Sequence, residues 1–179
     1  MSVDVAFLRG INLGKRQMKM ADLRACLEAA GFAEVRTILA SGNVRFAHRG
    51  PAGETRQHVE AAIEKQFGFK AGVVLRTESE IGEMLAEHPF DKLAAGADVA
   101  KHVLLFAEPL PKGITIDDKP GDTEILRIDR REIYIAGYRR PNGRYTEGVE
   151  EVLKPLYRKL GKDSLDTMRN WNTIEKVLP

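Results

Sequence analysis

Val35-Arg36-Thr37-Ile38-Leu39-Ala40-Ser41-Gly42-Asn43-Val44-Arg45-Phe46-Ala47 decides the fold of this 179-residue chain. Two β-favouring runs, 35–40 and 44–47, flank Ser41-Gly42-Asn43, and because Gly and Asn both tolerate positive φ the stretch reads as a hairpin. Upstream, Val3 to Leu8 reads as a strand ended by Arg9-Gly10. Met20, Leu23, Leu27 and Ala30 then fall at helical spacing before a left-handed cap at Gly31, which predicts a helix over 19–30. Downstream, Val59, Ala62, Ile63 and Phe67 repeat at helical spacing in a helix that starts near Glu54 and closes at Gly68, and 71–76 reads as a strand. The order is strand-helix-strand-strand-helix-strand, the split βαβ arrangement of a ferredoxin-like α-β plait.

The rest of the chain repeats that order in reduced form. Thr77 and Glu80 have capping-box spacing, and Ile81, Met84 and Leu85 make an apolar stripe, so a third helix is expected to run to Glu87 and stop before Pro89. Residues 91–100 turn to Ala, Gly and Asp without periodicity and read as a connection. A strand follows at 102–107, then Pro109, Pro111 and Gly113 leave little room for a helix. Residues 124–128 and 133–136 read as a second hairpin around Asp129-Arg130-Arg131-Glu132. Val149, Val152, Leu153, Leu156 and Leu160 make a helical face in which Pro155 predicts a kink or two short helices. A strand over 164–170 and a closing helix or turn over 171–178 complete the order. The expected fold is therefore α+β, with two ferredoxin-like α-β plait subdomains (βαββαβ, the second with a reduced first helix) packed as one globular unit. Their limits are 1–90 and 101–179.

Composition narrows the function classes. Apolar residues at 43 % and charged residues at 30 % are those of a globular protein able to bury a core. No apolar run is long enough for a membrane span and none has the form of a signal peptide, so a cytoplasmic protein without membrane contact is expected. The single cysteine, Cys26, excludes an internal disulfide and a cysteine-cluster metal site. A net charge of +2 is too balanced for a protein whose main role is gripping long nucleic acid. His48, His58, His88 and His102 lack metal-ligand spacing, and neither H-E-x-x-H nor G-x-S-x-G occurs. No catalytic constellation is recognisable, so the leading reading is a binding protein, non-catalytic or cryptically catalytic, and no metal site or cofactor is expected.

Topology singles out one end of the first sheet. In a split βαβ unit the first and second strands run parallel, so the loop after strand one meets the hairpin between strands two and three. Arg9, Gly10, Asn12 and Lys15 are thereby brought near Ser41, Gly42 and Asn43. Cations, amides and glycines that let backbone N–H groups approach would suit a small anionic ligand carrying phosphate or carboxylate. The plainer account is that the glycines serve turns and the polar side chains satisfy nearby backbone. Gly10 to Lys15 is one residue short of a P-loop, and Arg16 stands where Ser or Thr must hold the metal. Arg169, Asn170 and Asn172, around the only tryptophan, Trp171, form a second polar cluster that could complete the site. There the plainer account has Trp171 in the core and Asn172 capping a helix.

Two alternatives come from other features. Tyr134, Tyr138, Arg139, Arg140 and Arg144 interleave aromatics and cations, with no acid between Ile133 and Thr146, apt for single-stranded nucleic acid. A protein-interaction module using a sheet face or edge is the other.

Phe7-Leu8-Arg9-Gly10-Ile11-Asn12-Leu13-Gly14, Met20-Ala21-Asp22-Leu23, Gly31-Phe32, Val35-Arg36-Thr37, Ser41-Gly42-Asn43-Val44 and Arg169-Asn170-Trp171-Asn172-Thr173 together resemble the bacterial domain-of-unknown-function family number 1697 over nearly the whole chain. The resemblance implies a duplicated α-β plait and no established activity. Where that family commonly carries a Gly-Arg-Ser-Lys-like segment before the last long helix, this chain reads Gly143-Arg144-Tyr145-Thr146-Glu147, without the lysine.

Overall fold

The computed structural model describes residues 1–179 and divides them into two compact units, Met1–Glu83 with Thr173–Pro179, and Met84–Asn172. The first unit contains β1 (Ser2–Arg9), α1 (Met20–Ala29), β2 (Ala33–Ile38), β3 (Asn43–His48), α2 (Ala52–Phe67) and β4 (Gly72–Thr77), followed by α3 (Glu78–Ala86) across the boundary. Its sheet has the order β2-β3-β1-β4, with every neighbouring pair antiparallel. Two right-handed crossovers of this kind place both helices on one face, and that face holds the core. Ala6, Leu8, Val44, Phe46 and Val73 pack with Leu23 and Leu27 of α1 and Val59 and Ile63 of α2.

Local chemistry sets the element ends. α2 stops at Gly68, whose φ of 76° lets its N–H reach the Glu64 carbonyl. The capping box ahead of α3 is formed reciprocally: the Glu80 N–H donates to Thr77 Oγ1 at 3.0 Å, and the Thr77 N–H to Glu80 Oε2 at 2.9 Å.

The second unit repeats the layout with β5 (Val99–Phe106), β6 (Thr123–Ile128), β7 (Glu132–Tyr138), α4 (Glu147–Leu160) and β8 (Asp166–Asn170), in the order β6-β7-β5-β8. No helix joins β5 to β6, as the Pro109, Pro111 and Gly113 punctuation foretells. β5 already begins at Val99, which pairs with Tyr138. The core is Leu104, Phe106, Ile133 and Ile135 against Val149, Leu153 and Leu156. Each unit also buries an arginine on its fourth strand. Arg76 faces Val5 and donates to the Leu75 carbonyl, and Arg169 faces Val103 and donates to the Met168 carbonyl.

Two local expectations need correction. Pro155 does not split α4, which is one helix. Pro155 and Glu151, whose carbonyl loses its intrahelical donor, both lie on the exposed side, where water replaces the missing bond. Asn172 is not an N-cap, because α5 (Trp171–Lys176) starts directly after β8 and includes it.

Candidate functional site

Strand pairing assembles one end of the first sheet from three chain segments. Phe7 pairs with Asn43, the Leu8 N–H donates to the Gly42 carbonyl at 2.8 Å, and Arg9 pairs with Gly72. The loop 10–19, the hairpin tip 39–42 and the approach to β4 at 68–72 therefore meet there. Arg9, Lys15, Arg16, Lys19 and Lys70 are all exposed, and these three segments contain no aspartate or glutamate.

The loop 10–19 is anchored at both sides and open in between. Ile11 and Met18 are buried in the core. Asn12 Oδ1 accepts the Met18 N–H at 3.2 Å, which closes the loop on itself. Arg16 donates to the Gly10 carbonyl at 3.2 Å and lies 4.7 Å from the centre of the Phe69 ring, a cation-π contact that ties the loop to the approach to β4. Leu13 and Lys15 are left projecting, with Leu13 64 % exposed.

The hairpin tip is built more tightly than its composition suggests. At Gly42, φ is +83°, and a Cβ there would lie 2.5 Å from Ile11 Cδ1 and 3.2 Å from the Leu8 Cβ. Asn43 is 0 % exposed, and its Nδ2 donates to the Ile38 carbonyl and to Ser41 Oγ, both at 2.8 Å. These two residues, expected to face a ligand, are instead committed to the turn: the amide satisfies a strand-end carbonyl that would otherwise be orphaned. Leu39 beside them is 48 % exposed and has φ +59°, a left-handed conformation costing about 1–2 kcal/mol for an L-residue with a Cβ.

Within the second unit the second polar cluster is divided between core and surface. Arg169 is buried, donates to Thr167 Oγ1 at 2.6 Å, and burial pushes its guanidinium down to about 10. Asn170 and Asn172 point to solvent. Trp171 fills a core position against Phe90 and Tyr134, with ring centres 5.3 and 5.9 Å away.

The basic and aromatic segment is likewise occupied. Tyr134 is 1 % exposed and cannot offer its ring to a base. Arg139 pairs with Asp98 at 3.5 Å, Arg140 with Asp122 at 2.6 Å and Glu147 at 3.1 Å, and Arg144 with Glu147 at 3.2 Å. Tyr138 lies beside Glu124, whose hydrogen bond holds the phenol above its ordinary value. The acids absent from 133–146 in sequence arrive from the flanking segments.

Two further features escaped sequence reading. On the helix-facing side, at the far end of the same sheet, Asp4, His48 and Thr55 form a buried chain: His48 Nε2 lies 3.0 Å from Asp4 Oδ2 and Nδ1 3.0 Å from Thr55 Oγ1. Burial raises the Asp4 carboxyl above its ordinary value, against the lowering effect of His48. Such enclosed side chains clamp strands to α2 and offer nothing to a substrate. Between α1 and α2, a cleft of about 330 Å³ is lined by Cys26, His58 and several alanines. The Cys26 thiol donates to the Ala62 carbonyl at 3.4 Å and burial pushes it up, away from the reactive thiolate.

A family described as "Protein of unknown function (DUF1697)" matches residues 1–134, which include both walls of the loop end. The chain belongs to this family. A conserved bacterial protein, SP0830 from Streptococcus pneumoniae, is similar in structure, with a TM-score of 0.69 and 20 % sequence identity over 99 % of this chain and 96 % of that one. At that identity the likeness concerns the fold of this DUF1697 chain and nothing of its chemistry. No curated protein matches in sequence.

Proposed function

We propose that the chain binds an anionic ligand, bearing phosphate or carboxylate, on the loop end of its first sheet. The observation that carries this reading is the gathering of Arg9 at the end of β1, Lys15, Arg16 and Lys19 in the loop 10–19 and Lys70 before β4, with no acid in 10–19, 39–42 or 68–72. Exposed cations concentrated on adjoining segments raise the local potential, and a bound anion relieves their mutual repulsion. Exposed backbone around Gly10 and Gly14 and the amide of Asn12 add hydrogen-bond donors beside the charges. The site is an open surface, so ion contacts and not enclosure would supply the affinity.

Thermal unfolding in pyrophosphate, compared with chloride at equal ionic strength, tests the reading. Wild type is expected to gain several degrees in Tm, and an Arg9→Ala, Lys15→Ala double variant to gain markedly less. Equal shifts in the two proteins, or none in either, would overturn it. The shared strand order and the buried arginine on each fourth strand support a second reading, that the two plaits descend from one by internal duplication.

A further inference from the structure

We propose that the loop end of the first sheet is a docking surface for an anionic lipid bilayer, an inference that rests on the anion-binding reading above and names the source of the anion. Three observations converge on it. Leu13, 64 % exposed, and Leu39, 48 % exposed, project from two different loops at the same end of the sheet. Leu39 also holds φ +59°, where glycine or asparagine would be at ease. The left-handed backbone costs stability, and burial of the exposed side chain in an apolar phase would offset that cost. Around the two leucines stand Arg9, Lys15, Arg16, Lys19 and Lys70, with no acid among these segments.

Cations beside protruding aliphatic tips match the layering of a membrane interface. Headgroup phosphates meet the lysines and arginines, and the acyl boundary just beneath receives the leucines. Each cation near an anionic leaflet strengthens binding about fivefold, and the effect falls off within a Debye length. A nucleic acid would satisfy the cations but give the leucines nothing. An acidic protein would need an apolar recess shaped to each of two separate loops, whereas a fluid bilayer deforms to fit both. That no helix is long and apolar enough to cross a membrane concerns spanning alone, and leaves this peripheral mode open. The sequence-based expectation of no membrane contact rested on that criterion.

Co-sedimentation of the full chain with vesicles of mixed phosphatidylglycerol and phosphatidylcholine, against vesicles of phosphatidylcholine alone, is the test. Binding to the anionic vesicles only is expected. A Leu13→Ser, Leu39→Asn double variant should bind them at least about tenfold more weakly, while pyrophosphate still raises its Tm as in wild type. Leu39→Asn alone should raise the Tm of the free protein, which separates lost contact from lost folding. Vesicle binding that is indifferent to lipid charge, or unchanged in the leucine variant, would overturn the proposal. If vesicles fail to bind while pyrophosphate still stabilises, the lipid inference falls and the anion reading stands. Failure of both removes both. Binding of a single-stranded RNA oligonucleotide in place of vesicles, unaffected by the leucine changes, would overturn the lipid assignment in favour of nucleic acid.

Discussion

Asp4 and His48 lie side by side on adjacent strands, 3.0 Å apart and both out of reach of solvent. A carboxyl whose value is raised in the folded state holds its proton there more tightly than in the unfolded chain. By linkage, its contribution to stability is greatest below the ordinary aspartate value of 3.8 and declines as pH rises from there through the raised folded value. This is opposite in sign to a salt-bridged surface carboxylate. Urea unfolding of wild type and Asp4→Asn across the acidic range should show wild type losing ground relative to the variant as pH increases. A difference that is constant, or that grows in favour of wild type, would contradict the assignment.

Gly42 and Gly14 both have positive φ, yet only Gly42 is hemmed in. Gly42→Ala should cost about 2–4 kcal/mol, from the left-handed backbone plus the collision with Ile11 and Leu8. Gly14→Ala, with open space around it, should cost about 1 kcal/mol from the backbone alone. Chemical denaturation of the two variants measures the gap, and equal losses would mean that the hairpin tip gives way freely.

Asn43→Ala should destabilise by about 1–3 kcal/mol, because it leaves the Ile38 carbonyl without its amide donor at a buried position. Ser41→Ala should cost less, since the serine is exposed and water can replace it as the acceptor of that amide. Neither change removes a cation, so pyrophosphate should stabilise both variants as it does wild type. Loss of the pyrophosphate effect in a folded Asn43→Ala protein would return that residue to the binding site.

Trp171 is the chain's only tryptophan and is enclosed by Phe90 and Tyr134. Native fluorescence should therefore be blue-shifted and poorly quenched by acrylamide, and both properties should be lost on unfolding of the second unit. Trp171→Ala should cost about 3–5 kcal/mol. Emission at the wavelength of a solvated indole in the native protein would contradict the enclosure.

The fold was legible because its signals are local. A turn tripeptide at 41–43, a capping box at Thr77 and Glu80, and a glycine after each early helix all act within a few residues. The candidate site was half legible. Topology alone brought Arg9 and Lys15 to the hairpin, but Lys70 joins them only through the pairing of Arg9 with Gly72. Whether Asn43 faces a ligand or its own turn depends on rotamer and burial, which composition does not report. Tyr134 was misread for a related reason. β7 is buried on both faces through its centre, so a period of two carries no sign of which side meets water. The Asp4 and His48 contact was out of reach because it joins strands more than forty residues apart across a diagonal of the register.

Ile11 and Met18 hold the loop 10–19 from its two ends, and the residues between them contribute almost nothing to the core. The side chains of Leu13, Lys15 and Gln17, which project from the loop, can thus be exchanged with little effect on folding, as in an antibody loop on its framework. Under the anion-binding proposal, exchanging these side chains would retune what the loop end holds while the plait beneath it stays unchanged.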